Sequence, residues 1–557
     1  MKLKLSLIVF ALVMMLSGCG DTSAAFDPNT LFIWLPSNPT TLNPVSSVDL
    51  YASYVEYRVF DALIEYDSNM RPVPCVAKSW EWTRENVIVT NHVLSTNEEN
   101  VIITNKQIKT VNMYVLTFHL RDDVYWHDGV KNTAQDFVYT YNQIMKPESM
   151  AQNKIPMFEN LVSKVEAPDD YTFKVYYLRL HVPAIGNWEG MFPVPKHIYE
   201  HEDFMNSPYN RAPIGNGEYC FKEWKQATSI TLVKNTNYWR EQPKFDKIVY
   251  RIISDDNAAL AAFKKGLFDY KSMRPEEYEN EKDKDYFTNG YYVIKTLLRS
   301  YWHITWNCKK GSLFDDKLVR LAMTYALDRY SLATNYFHNQ VIVISGPFFY
   351  ANWAYDKSIA PLPFDLNMAK ELLAQAGWTD SDGNGILDKN GKEFRFEILL
   401  GQTLSGEAIV QNLKENLAKL GIIAEPRVLE WSAFDARLKE HSFEAACFGW
   451  STDIDPDPFD LWHSSQIKNG INYCNYSNPE ADKLIELGRI ELDPKKRAEI
   501  YHKVHKILAE DQPMTVLFDP IAVTAFKKEL KGVVIVPGLN LHEYYAGLLQ
   551  WYKTGKK

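Results

Sequence analysis

Apolar and polar positions alternate on two different periods along this chain. Leu31 to Leu35 reads as a first strand, and Asn38-Pro39 and Leu42-Asn43-Pro44 make a proline-rich turn behind it. Val55, Val59 and Leu63, spaced by four, predict a helix over 52–64. From Val87 to Leu120 the pattern breaks into short alternations (Val87-Ile88-Val89, Val101-Ile102-Ile103, Tyr114 to Leu120) separated by Asn- and Thr-rich stretches. That pattern predicts a series of antiparallel hairpins. Strand signals return over 171–175, 230–233 and 247–252. The later half changes period. Ala369, Leu372, Leu373 and Ala376 share one helical face, closed by Gly377. A strand over 394–400 is followed by a helix carrying Ile409, Leu413, Leu417 and Leu420, a stop at Gly421, and a strand over 422–429. Strand, helix and strand with short links predict a right-handed βαβ unit in a parallel sheet. Two more helices carry Ala481, Leu484 and Ile485, then Ile500, Val504, Ile507 and Leu508. A strand-rich first portion therefore precedes an α/β portion, and such sheets place ligands at strand ends and in domain crevices.

The amino terminus follows a different logic. Lys2 and Lys4 precede an apolar run from Leu5 to Leu16 broken only by Ser6, the form of a secretory leader and too short for a span of ~20 residues. Leu16-Ser17-Gly18-Cys19 then resembles a bacterial lipobox, which makes 1–18 a signal peptide, Cys19 the lipidated residue and 19–26 a tether. The expected setting is the bacterial cell envelope, outside the cytoplasm, held to membrane by lipid. The whole chain has 557 residues, enough for two or three domains, and a net charge of −9. Processing at Cys19 would leave 539 residues at −11. That acidity disfavours non-specific nucleic-acid binding. The five remaining cysteines, Cys75, Cys220, Cys308, Cys447 and Cys474, contain no CxxC pair and read as core thiols, with one disulfide as the alternative.

Enzyme signatures are absent: no HExxH, G-x-S-x-G, P-loop or dinucleotide fingerprint occurs. His197 with His201, and His502 with His505, share helical faces but read as solvated or packed side chains. Asp380, Asp382, Asn384 and Asp388 alternate around Gly385 as Ca²⁺ ligands do, yet Gly391 stands where an EF-hand needs its bidentate Glu. We read that loop as a cation-free polar turn, with Ca²⁺ as the alternative and no other cofactor expected. The most informative stretch is 448–460. A strand ends in Gly449-Trp450-Ser451, then Asp453, Asp455, Asp457 and Asp460 crowd into eight residues. Caps and solvent could relieve their repulsion, or a cationic ligand group could; composition leaves an exposed acidic turn and an ammonium site equally supported.

Several segments, in order, resemble the family 5 solute-binding proteins of ABC transporters, which bind oligopeptides, dipeptides and nickel. They are Leu42-Asn43-Pro44, Phe60 to Ile64, Phe118-His119-Leu120-Arg121-Asp122-Asp123-Val124-Tyr125-Trp126-His127-Asp128-Gly129, Thr133 to Phe137, Pro213-Ile214-Gly215-Asn216-Gly217-Glu218-Tyr219, Asn237-Tyr238-Trp239, Val319 to Arg329 and Asn478 to Asp482. The resemblance implies an α/β fold, a two-lobed periplasmic-binding-protein-like clamshell (type II, cluster C) with an extra domain in the first lobe. Domain I would comprise 27–62, 207–298 and 512–557, domain II 63–206 and domain III 299–511. It further implies a non-enzymatic, monomeric binding protein that closes over a peptide and delivers it to a membrane-embedded ABC permease. By the family pattern Asp453 pairs with the peptide's ammonium, Trp450 belongs to a Gly-Trp motif, and Gly449 and Ser451 run beside the peptide backbone, with Asp49 and Leu50 opposite.

Two departures stand out. Dipeptide binders place an arginine for the ligand carboxylate after the strand that here ends at Leu400, but this chain has Gly401-Gln402-Thr403-Leu404-Ser405-Gly406-Glu407. A longer oligopeptide is therefore favoured over a strict dipeptide. Residues 84–112 look longer than in many relatives. Arg121, His127, Asp128 and Arg320 read as scaffold. The competing readings are a nickel complex, sugar, opine or haem in the same fold, a ligand sensor, and more remotely an extracytoplasmic hydrolase or an adhesion module.

Overall fold

The computed structural model describes residues 27–96, 102–540, 543–544 and 547–555. The leader, Cys19 and the tether lie outside them. The chain enters through β1 (Thr30–Leu35) and α1 (Leu50–Val59). The helix stops five residues earlier than its apolar spacing predicts, because a turn from elsewhere takes its last carbonyl. Gly217 donates its N–H to the Val59 oxygen at 2.8 Å. A Cβ on Gly215 would lie 1.8 Å from that oxygen, so only glycine permits the approach. Asp61 beyond it takes the indole N–H of Trp239 at 2.8 Å, and Leu63-Ile64 run on into a short strand instead.

The chain then leaves the first lobe's main sheet for a four-stranded antiparallel sheet. Its strands are β2 (Ala77–Thr96), β3 (Ile102–Leu120), β4 (Val162–Asp169) and β5 (Thr172–Tyr177), in the order β2-β3-β5-β4. The helix α2 (Ala134–Ile144) buries Phe137 against Phe118, Phe173 and Trp188. One long hairpin replaces the expected series: β2 and β3 stay in register from Trp80↔Phe118 to Thr96↔Ile102. The Asn and Thr residues that read as turns lie within the ladder, where threonine is at home. A third strand flanks β3 only over Tyr114–His119, so the outer part is a two-stranded ribbon.

The chain returns through β6 (Tyr219–Lys225), β7 (Ser229–Lys234) and β8 (Lys247–Ile252), the last parallel to β1, then β9 (Tyr270–Met273) and β10 (Tyr291–Leu297). Only Leu298 and Arg299 separate β10 from β11 (Ser300–Trp306), where the other lobe begins. There α3 (Lys317–Tyr325) and α4 (Leu366–Gln375) precede the expected βαβ unit, made by β12 (Arg395–Gly401), α5 (Leu404–Lys419) and β13 (Ile423–Leu429) with parallel pairing. After α6 (Trp431–Lys439), β14 (Ala445–Ser451) inserts between β12 and β11. Helices cover both faces: α3, α4 and α5 bury Met323, Leu373 and Leu413 on one, while α7 (Pro479–Ile490) and α8 (Pro494–Asp511) bury Ile485 and Val504 on the other.

A single long strand, β15 (Met514–Lys527), belongs to both lobes. Its start pairs with β11 and its end with β9 and β10. The chain thus passes between lobes at 298–299 and again near Pro520, where Leu298 donates to the Pro520 carbonyl at 2.8 Å. This is a two-lobed α/β clamshell. No helix among the described residues is long and apolar enough to cross a membrane. All five described cysteines are free thiols.

Candidate functional site

The acidic loop grows out of a core strand. Ala445 to Phe448 are buried, and then Gly449 and Ser451 become exposed as β14 leaves the sheet edge of β12. Antiparallel pairing holds this end in place: Trp302 lies opposite Gly449 and Ser300 opposite Ser451. The next residue, Thr452, donates its N–H to the Arg299 carbonyl at 3.1 Å.

Beyond it the four acids meet different fates. Asp455 takes a bidentate pair from the buried Arg497, at 2.5 and 2.7 Å. Asp457 takes Arg489 at 2.9 Å and the Phe459 N–H at 3.2 Å, with burial pushing its carboxyl up to about 6. Asp460 is exposed in the first turn of a short helix, Phe459–Trp462. Asp453 has no cation within 4.0 Å among the described residues. Crowding by protein raises its carboxyl, the field of Arg299 opposes that rise, and Asp455 and Asp460 add to it.

Two cavities flank the crossover between lobes. In the lobe that begins at β11 (lobe III; the lobe built on β1 is lobe I), about 300 Å³ opens at the carboxyl ends of β12 and β14, walled by Trp302, Gln402, Thr403, Trp431, Phe448 and Gly449. Glu430 is the one charged residue in that described wall, and it caps α6 through the Ser432 N–H at 2.8 Å. No cation replaces the missing arginine among those residues. In lobe I, about 330 Å³ lies between β1, α1 and the crossing strands, walled by Ile33, Trp34, Leu50, Tyr51, Tyr54 and Tyr270. Its cations are taken: Arg58 by Glu218, and Lys271 by Glu277 at 2.9 Å.

Of the residues selected from sequence, Gly449 and Leu50 stand in cavity walls; Ser451 ends the emerging strand, and Asp453 lies exposed two residues beyond it, in neither wall. Asp49 is the N-cap of α1, accepting the Tyr51 N–H at 2.8 Å. Trp450 is half-buried, edge-on to Phe448 at 6.2 Å, and lines neither cavity. Sequence reasoning passed over Trp302, Trp431, Trp34, Tyr51, Tyr54 and Arg299. No local pattern marked them: they meet only when β1, α1, β9, β11 and α6 are brought together in the fold.

The loop at 380–388 lies apart from both cavities. The carboxylates of Asp380, Asp382 and Asp388 converge within 4.8 Å. Their oxygens already accept turn N–H groups: Gly383 and Gly385 on Asp380, Asn384 on Asp382, and Ser381 on Asp388, at 2.8 to 3.1 Å. Asn384 accepts from Ile386 at 2.7 Å. The other expected scaffold residues make structural bonds: Arg121 forks onto Asp123, His127 bridges Gly215 and Gly217, His197 meets Asp128, and Arg320 grips three backbone carbonyls.

Two lobes joined by a shared strand, with a cleft at parallel strand ends, define a ligand-binding clamshell. The family of bacterial extracellular solute-binding proteins, family 5 (middle part), matches residues 71–472, and the chain belongs to that family, whose members bind solutes for ABC transporters and are not enzymes. It is similar to the oligopeptide-binding protein AppA of Bacillus subtilis, 35% identical over 439 residues covering 76% of this chain and 78% of the relative. It is also 24% identical to heme-binding protein A of Haemophilus influenzae, over 96% of this chain and 97% of that one. The structure of Bacillus subtilis AppA in complex with a nonapeptide superposes with a TM-score of 0.67 and 28% identity, covering 94% of this chain and 99% of that one.

Proposed function

We propose that this protein captures oligopeptides between its lobes, with the peptide's amino end at Asp453, and delivers them to a membrane-embedded ABC permease. One observation carries the reading. Asp455 and Asp457 are neutralised by arginines of the fold; of the two acids without an ion pair among the described residues, Asp460 lies in the first turn of the Phe459–Trp462 helix, while Asp453 lies two residues beyond the strand that emerges at Gly449 and Ser451. Asp453 is exposed and carries no ion pair, so a ligand ammonium can pair with it when the lobes meet and shield the two from water. Exposed backbone at Gly449 and Ser451 can pair with any peptide, whatever its side chains. The cation-poor wall near Gln402 favours ligands that do not end there in a free carboxylate. The nonapeptide complex of AppA supports a long ligand.

The domain division follows the same reading: 27–62, 207–298 and 512–557 as domain I, 63–206 as domain II, and 299–511 as domain III, with 298–299 as one hinge connection. Cys19 anchors the chain by lipid at the cell envelope, where it acts as a monomer. Native mass spectrometry of protein purified without its leader tests the ligand class. A ladder of short peptide masses is expected; a single haem, sugar or metal-complex mass would overturn the peptide reading. Asp453→Asn should weaken free-amine peptides by at least ~10-fold while barely touching N-acetylated ones. Equal loss for both would remove Asp453 from the ammonium role.

A further inference from the structure

Arg299 sits in the two-residue link between lobes, and its guanidinium reaches both of them. Nε donates to the Thr452 carbonyl at 2.7 Å, holding the residue just before Asp453. Nη1 donates to the Gly538 carbonyl, and Nη1 and Nη2 meet the Glu543 carboxylate at 3.2 Å each, both in the carboxyl-terminal segment. The link's backbone is fastened to the same partners: Thr452 N–H to the Arg299 carbonyl, and Gly538 N–H to the Leu297 carbonyl at 3.0 Å. Gly538 has φ +80°, and a Cβ there would lie 2.3 Å from the Phe349 ring, so the segment approaches lobe III as closely as backbone allows. Around this point Phe349 and Ile454 of lobe III pack with Val536 and Leu539.

We propose that Arg299 is a positioning residue for ligand capture: it clamps the Thr452 carbonyl of one lobe to the Gly538–Glu543 segment of the other, and so fixes where the adjacent Asp453 meets a ligand. The proposal rests on the ammonium reading of Asp453. Its physics is the division of labour in one buried cation. Glu543 shares the guanidinium charge, so Arg299 does not collapse onto Asp453. Its field still opposes the crowding that raises the Asp453 carboxyl. Among the described residues, the charged groups acting most on Asp453 are Arg299, Asp455 and Asp460; those acting most on Arg299 are Glu543, Asp453 and Glu189.

The test measures binding of a synthetic pool of free-amine tri- to hexapeptides, and of its N-acetylated counterpart, from pH 4 to 8. It uses the mature protein with Arg299→Gln, Arg299→Lys and Glu543→Gln. Removing a cation raises a neighbouring acid's pKa, so the pH below which free-amine binding is lost should move up by ~0.5 unit or more in R299Q. E543Q removes an anion near the same cation and should move it down, so the proposal stays testable if R299Q does not fold. R299K keeps the charge but cannot span Thr452 and Gly538 together, so its midpoint should stay near wild type while affinity falls several-fold at every pH. An R299Q loss that is uniform across pH, or an E543Q midpoint that does not fall, would overturn the proposal. If wild type binds both pools equally, the ammonium reading fails first, and the proposal with it.

Discussion

On the lobe III side of the cleft, Gly449 and Ser451 lift strand backbone into the open and Asp453 follows as a carboxylate without an ion pair. On the lobe I side, Trp34, Leu50, Tyr51, Tyr54 and Tyr270 offer side-chain surface, and the nearby cations already have partners. One wall presents what every peptide has, an amino end and a main chain; the other presents apolar area, which discriminates by size and shape. The difference implies that affinity for a common feature and choice among side chains are separable. It also implies that charge in this loop is divided: Asp455 and Asp457 are bound to arginines of the fold, while Asp453 and Asp460 carry no ion pair among the described residues.

The sharpest way to break that contrast is to attack a structural acid two residues away. Asp455→Ala leaves Arg497, buried against Tyr501 and Gly488, without its anion. Removing one member of a buried pair should cost about 3 kcal/mol of stability, read by chemical unfolding. Preference for free-amine over acetylated peptides should survive in the fraction that folds. Loss of that preference with stability intact would mean that Asp455, not Asp453, meets the ligand.

A smaller effect separates the two faces of β11. Trp302 faces the cavity, while His303 is fully buried against Phe448, with neither ring nitrogen bonded among the described residues. Burial holds its imidazole down to about 3. The folded chain therefore keeps His303 neutral while the unfolded chain protonates it below about 6.5. This residue's contribution to stability is present above that pH and is lost progressively as pH falls toward 3. Relative to wild type, His303→Leu should gain about 2 kcal/mol more at pH 5 than at pH 7.5, from differential scanning at the two pH values. A pH-independent difference would show that His303 is hydrated in the folded state.

Much of the architecture was legible because local periodicity and global packing agree. The βαβ unit over 395–429 was readable from the apolar runs over 394–400 and 422–429 and the Ile409, Leu413, Leu417 and Leu420 face between them, and the parallel strands fall where expected. What sequence could not show depends on distant partners. The end of α1 is decided by Gly215 and Gly217, over 150 residues further along. The 87–120 region reads as several hairpins until strand register is known. At the site, four similar aspartates were indistinguishable in sequence. Arg489 and Arg497 on following helices neutralise two of them, and no local pattern announces that pairing. Arg299 looks like any solvated arginine until the link it occupies is seen to join two lobes.

The mildest prediction addresses the apolar wall by itself. Leu50 is 55% exposed at the start of α1 and borders the lobe I cavity. Shortening it removes little from the core, so Leu50→Ala should change stability by no more than about 0.5 kcal/mol. A bound side chain that covers Leu50 would lose roughly 40 Å² of apolar contact, about 1 kcal/mol or a fivefold weaker complex. The loss should fall on peptides with a large apolar residue and spare alanine-rich ones, measured by competition within one peptide pool. If both classes weaken alike, Leu50 acts on the amino end or on lobe closure, and the division of labour between the two walls does not hold. If only the bulky class weakens, and Asp453→Asn weakens both classes equally in the same pool, the two walls contribute independently to a single binding event.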